Sequence, residues 1–475
     1  MATFDVVIIG AGLSGLSAAH TLLSQHQTKV CVLEAQGRVG GRLLTKEVNL
    51  NNGDSTTCDV GGQWVVDKQH HVTKMLKMLN IGTHKQFLKG RTVLFRNNRP
   101  ITYEGIVPYK TNWFGLVDLQ MAMWDIDKLA NTIDLERPWS HKNAAKWDSM
   151  TVQNYMDTMY TGLGRDMIEL FCQTVYSQEP SQISFLFLLL GIKSAGGVTN
   201  LVETEGGAQD SKIDGGAQQI PNKLLDHLNA LNKSGPSGGS LFEIKYNHVA
   251  SEITKIKTGY QVTTRDGSVF FCNYIIIAIP PTLCSHIHYN PPLPSMRTHL
   301  CQRIPMGSII KVNMFFKTRF WRERNLAGSF VSASNDITEY PLTLGYDGTT
   351  ICGLVSFFAG YSAVYWSGRP KEERIEASKK QYAIMFDVPL DFVNEQFLGY
   401  EEKDWTMDEF STGAYSGVMA PGVLSIYGPA LRTPIGDIHF AGTETAKHWL
   451  GYMSGAIESG ERAASEVLEK IKNTN

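Results

Sequence analysis

The sequence predicts a fold of the α/β class with α+β character, combining one sheet domain built from discontinuous segments with a second domain of mixed sheet and helices. The N-terminus has the pattern of a buried strand, a glycine-rich turn and a helix. Between about Ile81 and Leu201, Trp, Tyr, Met and Leu recur at helical spacing. From His248 to Cys272 apolar and polar residues alternate as in antiparallel strands, and the apolar run from Tyr274 to Ile279 is typical of a central parallel strand.

Size and composition favour a soluble protein of more than one domain. The 475 residues exceed one ordinary hydrophobic core, and 43% hydrophobic with 19% charged residues is typical of a packed globular protein. A net charge of -2 argues against nucleic acid or an anionic membrane as a partner. The sequence shows no secretory signal, no apolar run of about 20 residues and no Ser-Lys-Leu terminus, so we expect a cytoplasmic protein without a membrane anchor.

The cysteines are scattered along the chain. There are seven, and none forms a Cys-x-x-Cys pair: Cys31, Cys58, Cys172, Cys272, Cys284, Cys301 and Cys352. An odd count without metal-ligand spacing predicts reduced, mostly buried thiols and no metal site.

The N-terminal glycines lie where a dinucleotide would bind. The strand Phe4 to Ile9 is followed by a Gly-x-Gly-x-x-Gly turn that comprises Gly10, Gly12, Leu13, Ser14 and Gly15. A second strand, Lys29 to Leu33, ends at Glu34 and Ala35, about 20 residues further on, where a carboxylate accepts hydrogen bonds from ribose hydroxyls. This context predicts a Rossmann-type βαβ unit with a pyrophosphate at the helix N-terminus.

Two further glycine pairs follow. Arg38, Gly41 and Arg42 belong to a turn that would add cationic donors to the dinucleotide, although a basic surface turn is the alternative. The second stretch has glycines that let the backbone approach a flat ring system: Gly61, Gly62, Gln63 and Trp64.

The pattern of segments predicts two domains, with the chain passing several times from one to the other. We expect the nucleotide-binding domain to comprise residues 1–80, 211–290 and 404–475, and the substrate domain to comprise residues 81–210 and 291–403. In the second insertion, Ile309 to Phe316 alternates as a strand, which makes burial of Lys311 plausible.

The C-terminal segment predicts a second glycine-lined helix start. A short apolar run, Ile438 to Ala441, breaks at Gly442, and a helix follows from about Ser454. Gly451 leaves the approach to this helix open, and the free N–H groups of a helix start suit an electron-rich ligand.

Together these residues resemble the flavin-containing amine oxidase family, and within it the monoamine oxidase branch is most similar. The motifs follow the family's order over nearly the whole chain: Gly10-Ala-Gly-Leu-Ser-Gly15, Glu34-Ala-Gln-Gly-Arg-Val-Gly-Gly-Arg42, Ala278-Ile-Pro-Pro281, Gly307-Ser-Ile-Ile-Lys311 and Phe440-Ala-Gly-Thr-Glu-Thr-Ala446 through Arg462. The resemblance implies bound FAD and the oxidation of primary amines to aldehyde, ammonia and H2O2 with O2.

The resemblance also implies roles for individual residues. Lys311 would lie beside the flavin and hold a water, while Tyr415 and Tyr452 would flank the amine, as facing aromatic rings do for a polarised nitrogen. Gln219 would line the substrate pocket, and Trp405 would lie near the flavin. The remaining contacts to FAD implied by the motifs are Val249, Ala414, Gly442, Thr443, Glu444, Gly451, Met453 and Ala456.

The sequence departs from the family pattern at two places. Monoamine oxidases with covalent flavin carry a cysteine directly before the first cage tyrosine, whereas this chain has Ala414. Alanine has no nucleophile, so we expect FAD to be held without a covalent bond. The apolar C-terminal helix of membrane-bound relatives is also absent after Ile471, which favours an unanchored enzyme.

Three alternatives remain. A polyamine oxidase would share the FAD motifs and would line its tunnel with carboxylates, for which Asp125, Asp127 and Asp134 are candidates. An amino-acid oxidase would need an arginine for the substrate carboxylate. A flavin-binding scaffold without turnover would have no need of Lys311 and the tyrosines. The oligomeric state stays open, with a homodimer as one candidate.

Overall fold

The computed structural model describes residues 2–105, 113–232, 240–334 and 336–474. The strands within these residues are β1 (Ala2–Ile9), β2 (Val30–Leu33), β3 (Thr45–Asn49), β4 (Ser55–Asp59), β5 (Trp64–Val65), β6 (Thr83–Lys85), β7 (Arg91–Arg96), β8 (Arg99–Tyr103), β9 (Ser211–Ile213), β10 (Phe242–Lys245), β11 (Ala250–Ile256), β12 (Gly259–Thr264), β13 (Val269–Ile277), β14 (His288–Asn290), β15 (Ile309–Phe316), β16 (Leu326–Ala333), β17 (Leu344–Asp347), β18 (Gly353–Ala359), β19 (Phe397–Asp404) and β20 (Ile438–Phe440).

The α-helices in the same part of the chain are α1 (Leu13–Gln25), α2 (His70–Met78), α3 (Trp113–Ala130), α4 (Ala144–Asp148), α5 (Val152–Met156), α6 (Gly162–Phe171), α7 (Phe185–Ala195), α8 (Val198–Val202), α9 (Gln219–Asn232), α10 (Ser295–Gln302), α11 (Phe320–Glu323), α12 (Tyr361–Ser367), α13 (Lys371–Met385), α14 (Leu390–Gln396), α15 (Leu424–Tyr427) and α16 (Met453–Thr474). Strands and helices alternate along the chain, the two large sheets combine parallel and antiparallel pairs, and the predicted mixed α/β class is confirmed. None of the helices described is both long and apolar enough to cross a membrane.

The first sheet has the strand order β10-β2-β1-β13-β12-β11-β14, with β20 beside β13. Its centre is parallel, because β1 pairs in parallel with both β2 and β13. The sequence predicted two strands between Val269 and Ile279, and this was wrong: β13 is one continuous strand. It changes partner along its length, since its first half pairs antiparallel with β12 and its second half parallel with β20.

Two helices pack together over this sheet, and glycines permit the contact. A Cβ on Gly460 in α16 would lie 2.1 Å from the Ser14 carbonyl oxygen in α1, whereas a Cβ on Gly15 would lie 1.9 Å from the Gly10 carbonyl oxygen in the turn before α1. Helix α16 therefore crosses directly over the start of α1. Both helices begin beside the same space, which the glycine-rich turn and the C-terminal loop enclose.

The second sheet has the order β19-β15-β18-β17-β16-β7-β8. The strand predicted over Ile309 to Phe316 is confirmed as β15, and all eight of its residues are buried, Lys311 included. Ile310 packs in the same apolar cluster as Phe358 and Tyr382, whereas Ile309 packs with Phe357 and Trp405 in another. Since side chains alternate across a strand, Lys311 shares the face of Ile309, the face that borders the cavity described below.

Helices α3 to α8 form a mainly apolar layer beside the second sheet. Helix α5 begins after Thr151, where the side chains of Thr151 and Asn154 form a reciprocal capping box. Helix α6 continues directly into a π-helical turn, Cys172–Tyr176. The first sheet takes its strands from residues 2–33, 242–290 and 438–440, and this alternation with the second sheet supports the five-segment domain division, which we propose.

Candidate active site

One continuous cavity of about 630 Å³ connects the N-terminal glycine turn with the C-terminal loop and then enters the helical layer. Most residues that the sequence singled out line it: Gly10, Gly12, Leu13, Ser14, Glu34, Ala35, Gly41, Arg42, Gly61, Gly62, Gln63, Trp64, Val249, Lys311, Trp405, Ala414, Tyr415, Gly442, Thr443, Gly451, Tyr452, Met453 and Ala456. Segments far apart in the sequence therefore meet at one site. Gly15, Arg38, Glu444 and Gln219 are not part of the wall.

The glycine turn and Glu34 form one end of the cavity. Gly10 has φ +101°, a conformation that glycine adopts without strain, and the position where Gly12 would carry a Cβ is open, with no heavy atom within 4 Å. The two carboxylate oxygens of Glu34 accept hydrogen bonds from the backbone N–H groups of Ala11 (2.7 Å) and Gln36 (2.8 Å). Burial raises the pKa of Glu34, and these hydrogen bonds oppose the shift. The fixed carboxylate keeps lone pairs for hydroxyl donors.

The two arginines of the second glycine turn have different partners. Arg42 lines the cavity, where Nη1 donates to the Glu444 carboxylate at 2.6 Å and to the Tyr415 carbonyl oxygen at 2.8 Å. Arg38 turns back on its own loop and donates to the carbonyl oxygens of Gly41 (2.8 Å) and Leu43 (2.9 Å). The structure thus does not bring Arg38 or Glu444 to the cavity wall; Arg38 shapes the turn, and Glu444 fixes Arg42.

Lys311 is buried between the sheet and the Gly61–Gln63 segment. Its Nζ donates to the Gly61 carbonyl oxygen at 2.8 Å and to the Gln63 Oε1 at 2.7 Å. Burial lowers the pKa of Lys311 to about 7, and the negative charge of Asp59 opposes this shift. A neutral amine has two N–H groups, and both are used by these two bonds. Its lone pair then remains to accept a hydrogen bond in the cavity.

Trp64 lies beneath two buried lysine side chains. The Nζ of Lys311 lies 5.3 Å from the centroid of the Trp64 ring, and that of Lys212 lies 5.7 Å from it. Burial also lowers the pKa of Lys212, to about 8. Lys212 does not line the cavity; its Nζ donates to the Asp347 carbonyl oxygen at 3.2 Å. Of the two lysines, only Lys311 can meet a ligand there.

Tyr415 and Tyr452 line the same cavity as Lys311. The Tyr415 ring meets the Phe357 ring edge-on at 6.4 Å, and Phe357 in turn lies 5.7 Å from the Lys311 Nζ. Burial raises the pKa of both tyrosines well above the usual value of a phenol, so both phenols stay neutral. The pair presents apolar ring surface, with two neutral hydroxyl groups, to whatever lies before Lys311.

Sequence reasoning missed Tyr346, a third tyrosine of this site. It lies in β17, lines the cavity and meets the Trp64 ring at 5.1 Å. Its phenol interacts electrostatically with those of Tyr415 and Tyr452. Because Tyr346 stands in a short strand outside every recognised motif, its local sequence gave no signal.

The assignment of Gln219 to the pocket was wrong. Its side-chain amide donates to the Asp214 carbonyl oxygen at 2.5 Å at the start of α9, and it does not line the cavity. The sequence holds Gly-Gly-Ala-Gln twice, at residues 206–209 and 215–218. The second copy packs through Ala217 into the core of the first sheet, whereas Gln209 of the first copy lines the cavity. The repeated motif was the signal, and the copy that follows α8 is the one at the site.

The C-terminal loop forms the other side of the cavity wall. The Trp405 indole donates to the Val60 carbonyl oxygen at 2.8 Å, and the Thr443 hydroxyl donates to the Tyr452 carbonyl oxygen at 2.9 Å. These bonds fix the loop before α16, which starts at Met453, one residue earlier than predicted. Among the residues described, no group of His, Cys, Asp and Glu could hold a metal ion.

Comparisons with known proteins agree with this geometry. A family model described as flavin containing amine oxidoreductase matches residues 13–468. Amine oxidase [flavin-containing] A of Equus caballus is 34% identical over 470 residues, which are 98% of this chain and 85% of that protein. Amine oxidase [flavin-containing] B of Mus musculus is 33% identical over 472 residues, 98% of this chain and 86% of that protein.

Two solved structures show the same fold over nearly the whole chain. Putrescine oxidase bound to putrescine has a TM-score of 0.88 and 28% sequence identity, with 98% of this chain and 99% of that chain covered. Cyclohexylamine oxidase from Brevibacterium oxydans IH-35A has a TM-score of 0.86 and 26% identity, with 99% of both chains covered.

Proposed function

The chain belongs to the flavin-containing amine oxidoreductase family, and we propose that it oxidises primary monoamines to aldehyde, ammonia and H2O2. The observation that carries the choice of monoamines is the wall of the cavity. Its part within the helical layer, from Leu119 to Gln209, is mostly apolar, and Glu203 is the one charged residue among those described there. An extended polycation would leave buried ammonium groups without partners on such a wall.

The carboxylates that a polyamine oxidase would use are engaged elsewhere. Asp125 accepts from the Tyr155 hydroxyl at 3.2 Å, Asp127 from the Val198 N–H at 2.8 Å, and Asp134 from the Glu136 N–H at 2.8 Å. None of the three lines the cavity. Putrescine oxidase, a diamine enzyme by name, nevertheless shares this fold. The fold therefore does not indicate the substrate class, and the choice of monoamines depends on the residues of the cavity wall.

The family's cofactor, FAD, fits the cavity. The open position at Gly12 gives a pyrophosphate room beside the α1 N-terminus, and Glu34 stands where ribose hydroxyls would lie. At the other end, the side-chain Nε2 of Gln63 is buried without a hydrogen-bond partner, which suits an acceptor on a ring system. When bound, FAD would supply the redox chemistry, taking from the amine carbon a hydride equivalent, which carries both electrons, and passing two electrons to O2.

The chain's own residues bind and orient the amine. Tyr415 and Tyr452 would hold the nitrogen between their rings and exclude bulk water, and their neutral phenols add no negative charge that would keep the amine protonated. Neutral Lys311 would hold a water through its free lone pair and accept a proton from it. Tyr346 lines the same cavity.

The pKa of Lys311 predicts a pH dependence. Burial lowers this pKa to about 7, so the neutral, proton-accepting fraction rises as pH increases through about 7. We expect the limiting rate of anaerobic flavin reduction by benzylamine to rise with pH and to level off above that range. Stopped-flow measurements on the wild type and on Lys311→Met test this: a transition near pH 7 that survives in the variant would show that another group titrates.

We propose that FAD is held without a covalent bond, because Ala414 offers no nucleophile at the cavity wall. Acid precipitation of the purified holoenzyme is expected to release all flavin absorbance into the supernatant. Flavin that stays with the precipitated protein after washing would contradict the proposal. The structurally similar putrescine oxidase has itself been the object of a redesign of cofactor binding in which an alanine was replaced by cysteine.

A substrate panel tests the reaction and the substrate class together. H2O2 release is expected with tyramine and benzylamine, at a kcat/KM about 100-fold or more above that for spermine, since each desolvated ammonium without a partner costs several kcal/mol. Glu203→Gln removes the one charged side chain described in this part of the cavity wall, and it is expected to leave benzylamine oxidation unchanged. A preference for spermine would favour the polyamine reading, and FAD binding without turnover of any amine would favour a scaffold.

A further inference from the structure

An ion pair joins two distant segments at the end of the cavity near Glu34. The Arg265 Nη1 donates to the Glu409 Oε1 at 2.6 Å, although 144 residues separate the two in the sequence. Both residues line the cavity, and their side chains are 54% and 61% exposed. Since they border the cavity and the solvent at once, the pair lies where this end of the cavity opens to the solvent, which we call the Glu34-side opening.

The backbone holds Arg265 beside Glu34. Arg265 directly follows β12, and its N–H donates to the Val249 carbonyl oxygen at 2.8 Å. His248, which precedes Val249, donates its N–H to the Glu34 carbonyl oxygen at 2.9 Å. All four of these residues line the cavity. Arg265 therefore belongs to the stretch of wall that would contact the adenosine half of a dinucleotide.

A hydrogen-bonded turn holds Glu409 in place. The preceding residue, Asp408, accepts through Oδ1 from the Ser411 hydroxyl at 2.7 Å and from the Phe410 N–H at 3.1 Å. Phe410 and Ser411 line the cavity as well. Because the turn is fixed by its own bonds, Glu409 meets Arg265 with little further loss of backbone entropy.

The neighbouring carboxylates have partners of their own. Asp408 accepts from the Lys403 Nζ at 2.6 Å, and Asp266 is hydrogen-bonded within its own turn. Among the ion pairs formed by the residues described, that of Arg265 and Glu409 is the one whose two partners both line the cavity. Loss of either charge would therefore leave the Glu34-side opening without a bridge.

We propose that Arg265 and Glu409 form a clasp across the Glu34-side opening that slows the release of FAD. The adenosine half of FAD would lie against the wall next to this opening, and the intact pair narrows the way out. This inference rests on the proposed non-covalent binding: with Ala414 at the cavity wall, no bond to the protein holds the flavin, so the contacts around the dinucleotide set the time for which it stays bound. It does not rest on the turnover of any amine.

The exposure of the pair limits the size of the effect. Exposed ion pairs contribute little, so loss of this one is expected to change the rate of FAD release by about three- to fivefold rather than by orders of magnitude. Salt screens exposed charges, with a Debye length of about 10 Å at 0.1 M and about 3 Å at 1 M ionic strength. The clasp should therefore weaken as ionic strength rises, and a variant without it should respond less to salt than the wild type.

The test measures FAD release from the purified holoenzyme without any amine. Flavin fluorescence, recorded over time after dilution, gives the rate at which FAD leaves the protein. Arg265→Gln is expected to release FAD about three- to fivefold faster than the wild type at low ionic strength, and the two rates are expected to converge near about 1 M salt. Both side chains of the pair are exposed, so circular dichroism is expected to show native helix content in the variant.

Charge reversal separates the pair from its single charges. Arg265→Glu is expected to release FAD faster still, because two carboxylates then face each other, and the double variant Arg265→Glu with Glu409→Arg is expected to return to within about twofold of the wild type. Arg369→Gln is the matched control. Arg369 also forms an exposed ion pair with a glutamate, Glu373, at 3.2 Å, but neither residue lines the cavity, so FAD release is expected to match the wild type.

The outcomes separate the clasp from the proposals on which it rests. Equal rates of FAD release from the wild type and Arg265→Gln, or a double variant as fast as Arg265→Glu, would overturn the clasp alone. Flavin that stays with the acid-precipitated wild type would overturn the non-covalent binding and the clasp together. Because no amine is added, a holoenzyme that oxidises no amine would count against the proposed reaction and leave the clasp in place.

Discussion

Replacement of Lys311 by methionine is expected to slow amine oxidation by about 100-fold or more while FAD stays bound. Among the residues described, Lys311 is the one lysine of the cavity wall, and loss of a positioned acid–base group costs a factor of about 10² to 10⁴. Methionine keeps much of the apolar length of the side chain but can neither accept a proton nor hold a water. It also leaves the Gly61 carbonyl oxygen and the Gln63 Oε1 without their donor. H2O2 release together with flavin absorbance of the purified protein measures both parts of this prediction.

Lys212→Met is the matched control. Lys212 is also buried, its pKa is also lowered by burial, and it also lies over the Trp64 ring. It does not line the cavity, so we expect turnover within about threefold of wild type, although loss of its bond to Asp347 can reduce stability by about 1 kcal/mol. Equal losses in both variants would mean that Lys311 acts through the fold and not on the amine.

The parts of this site that could be predicted are those whose chemistry requires a local pattern. Gly10 and Gly12 are fixed by the turn geometry, and Glu34 follows the next parallel strand, so spacing alone brings them together. Lys311, Tyr415 and Tyr452 were singled out through their resemblance to motifs of the family. The fold class followed from the same runs of residues, because strand and helix periods differ.

Other parts depend on how distant elements pack, which no local pattern records. Tyr346 reaches the cavity because β17 is in register with β18, where Phe357 lies opposite Leu344. Arg38 and Arg42 flank the same glycines, yet only the position of Glu444 after β20 decides that Arg42 faces the cavity. The two Gly-Gly-Ala-Gln copies are equivalent as sequence, and only the packing of the second copy on the first sheet separates Gln209 from Gln218, which Gln219 follows.

Gly12→Val is expected to weaken FAD binding strongly and to leave the folded chain intact. Gly12 has φ -70° and ψ 177°, an extended conformation that valine adopts without strain, and its Cβ would meet no protein atom within 4 Å. The added carbons would instead fill the space beside the α1 N-terminus that a pyrophosphate would occupy. We expect the Kd of FAD to rise at least about 100-fold, which corresponds to about 2.7 kcal/mol.

Gly368→Val provides the comparison that separates steric exclusion from damage to the chain. Gly368 also has a negative φ, -80°, follows the end of a helix, and has no heavy atom within 4 Å of a Cβ. It does not line the cavity, so FAD titration is expected to match the wild type. Circular dichroism should show native helix content in both variants. If Gly12→Val binds FAD as tightly as Gly368→Val does, the dinucleotide does not lie against this turn.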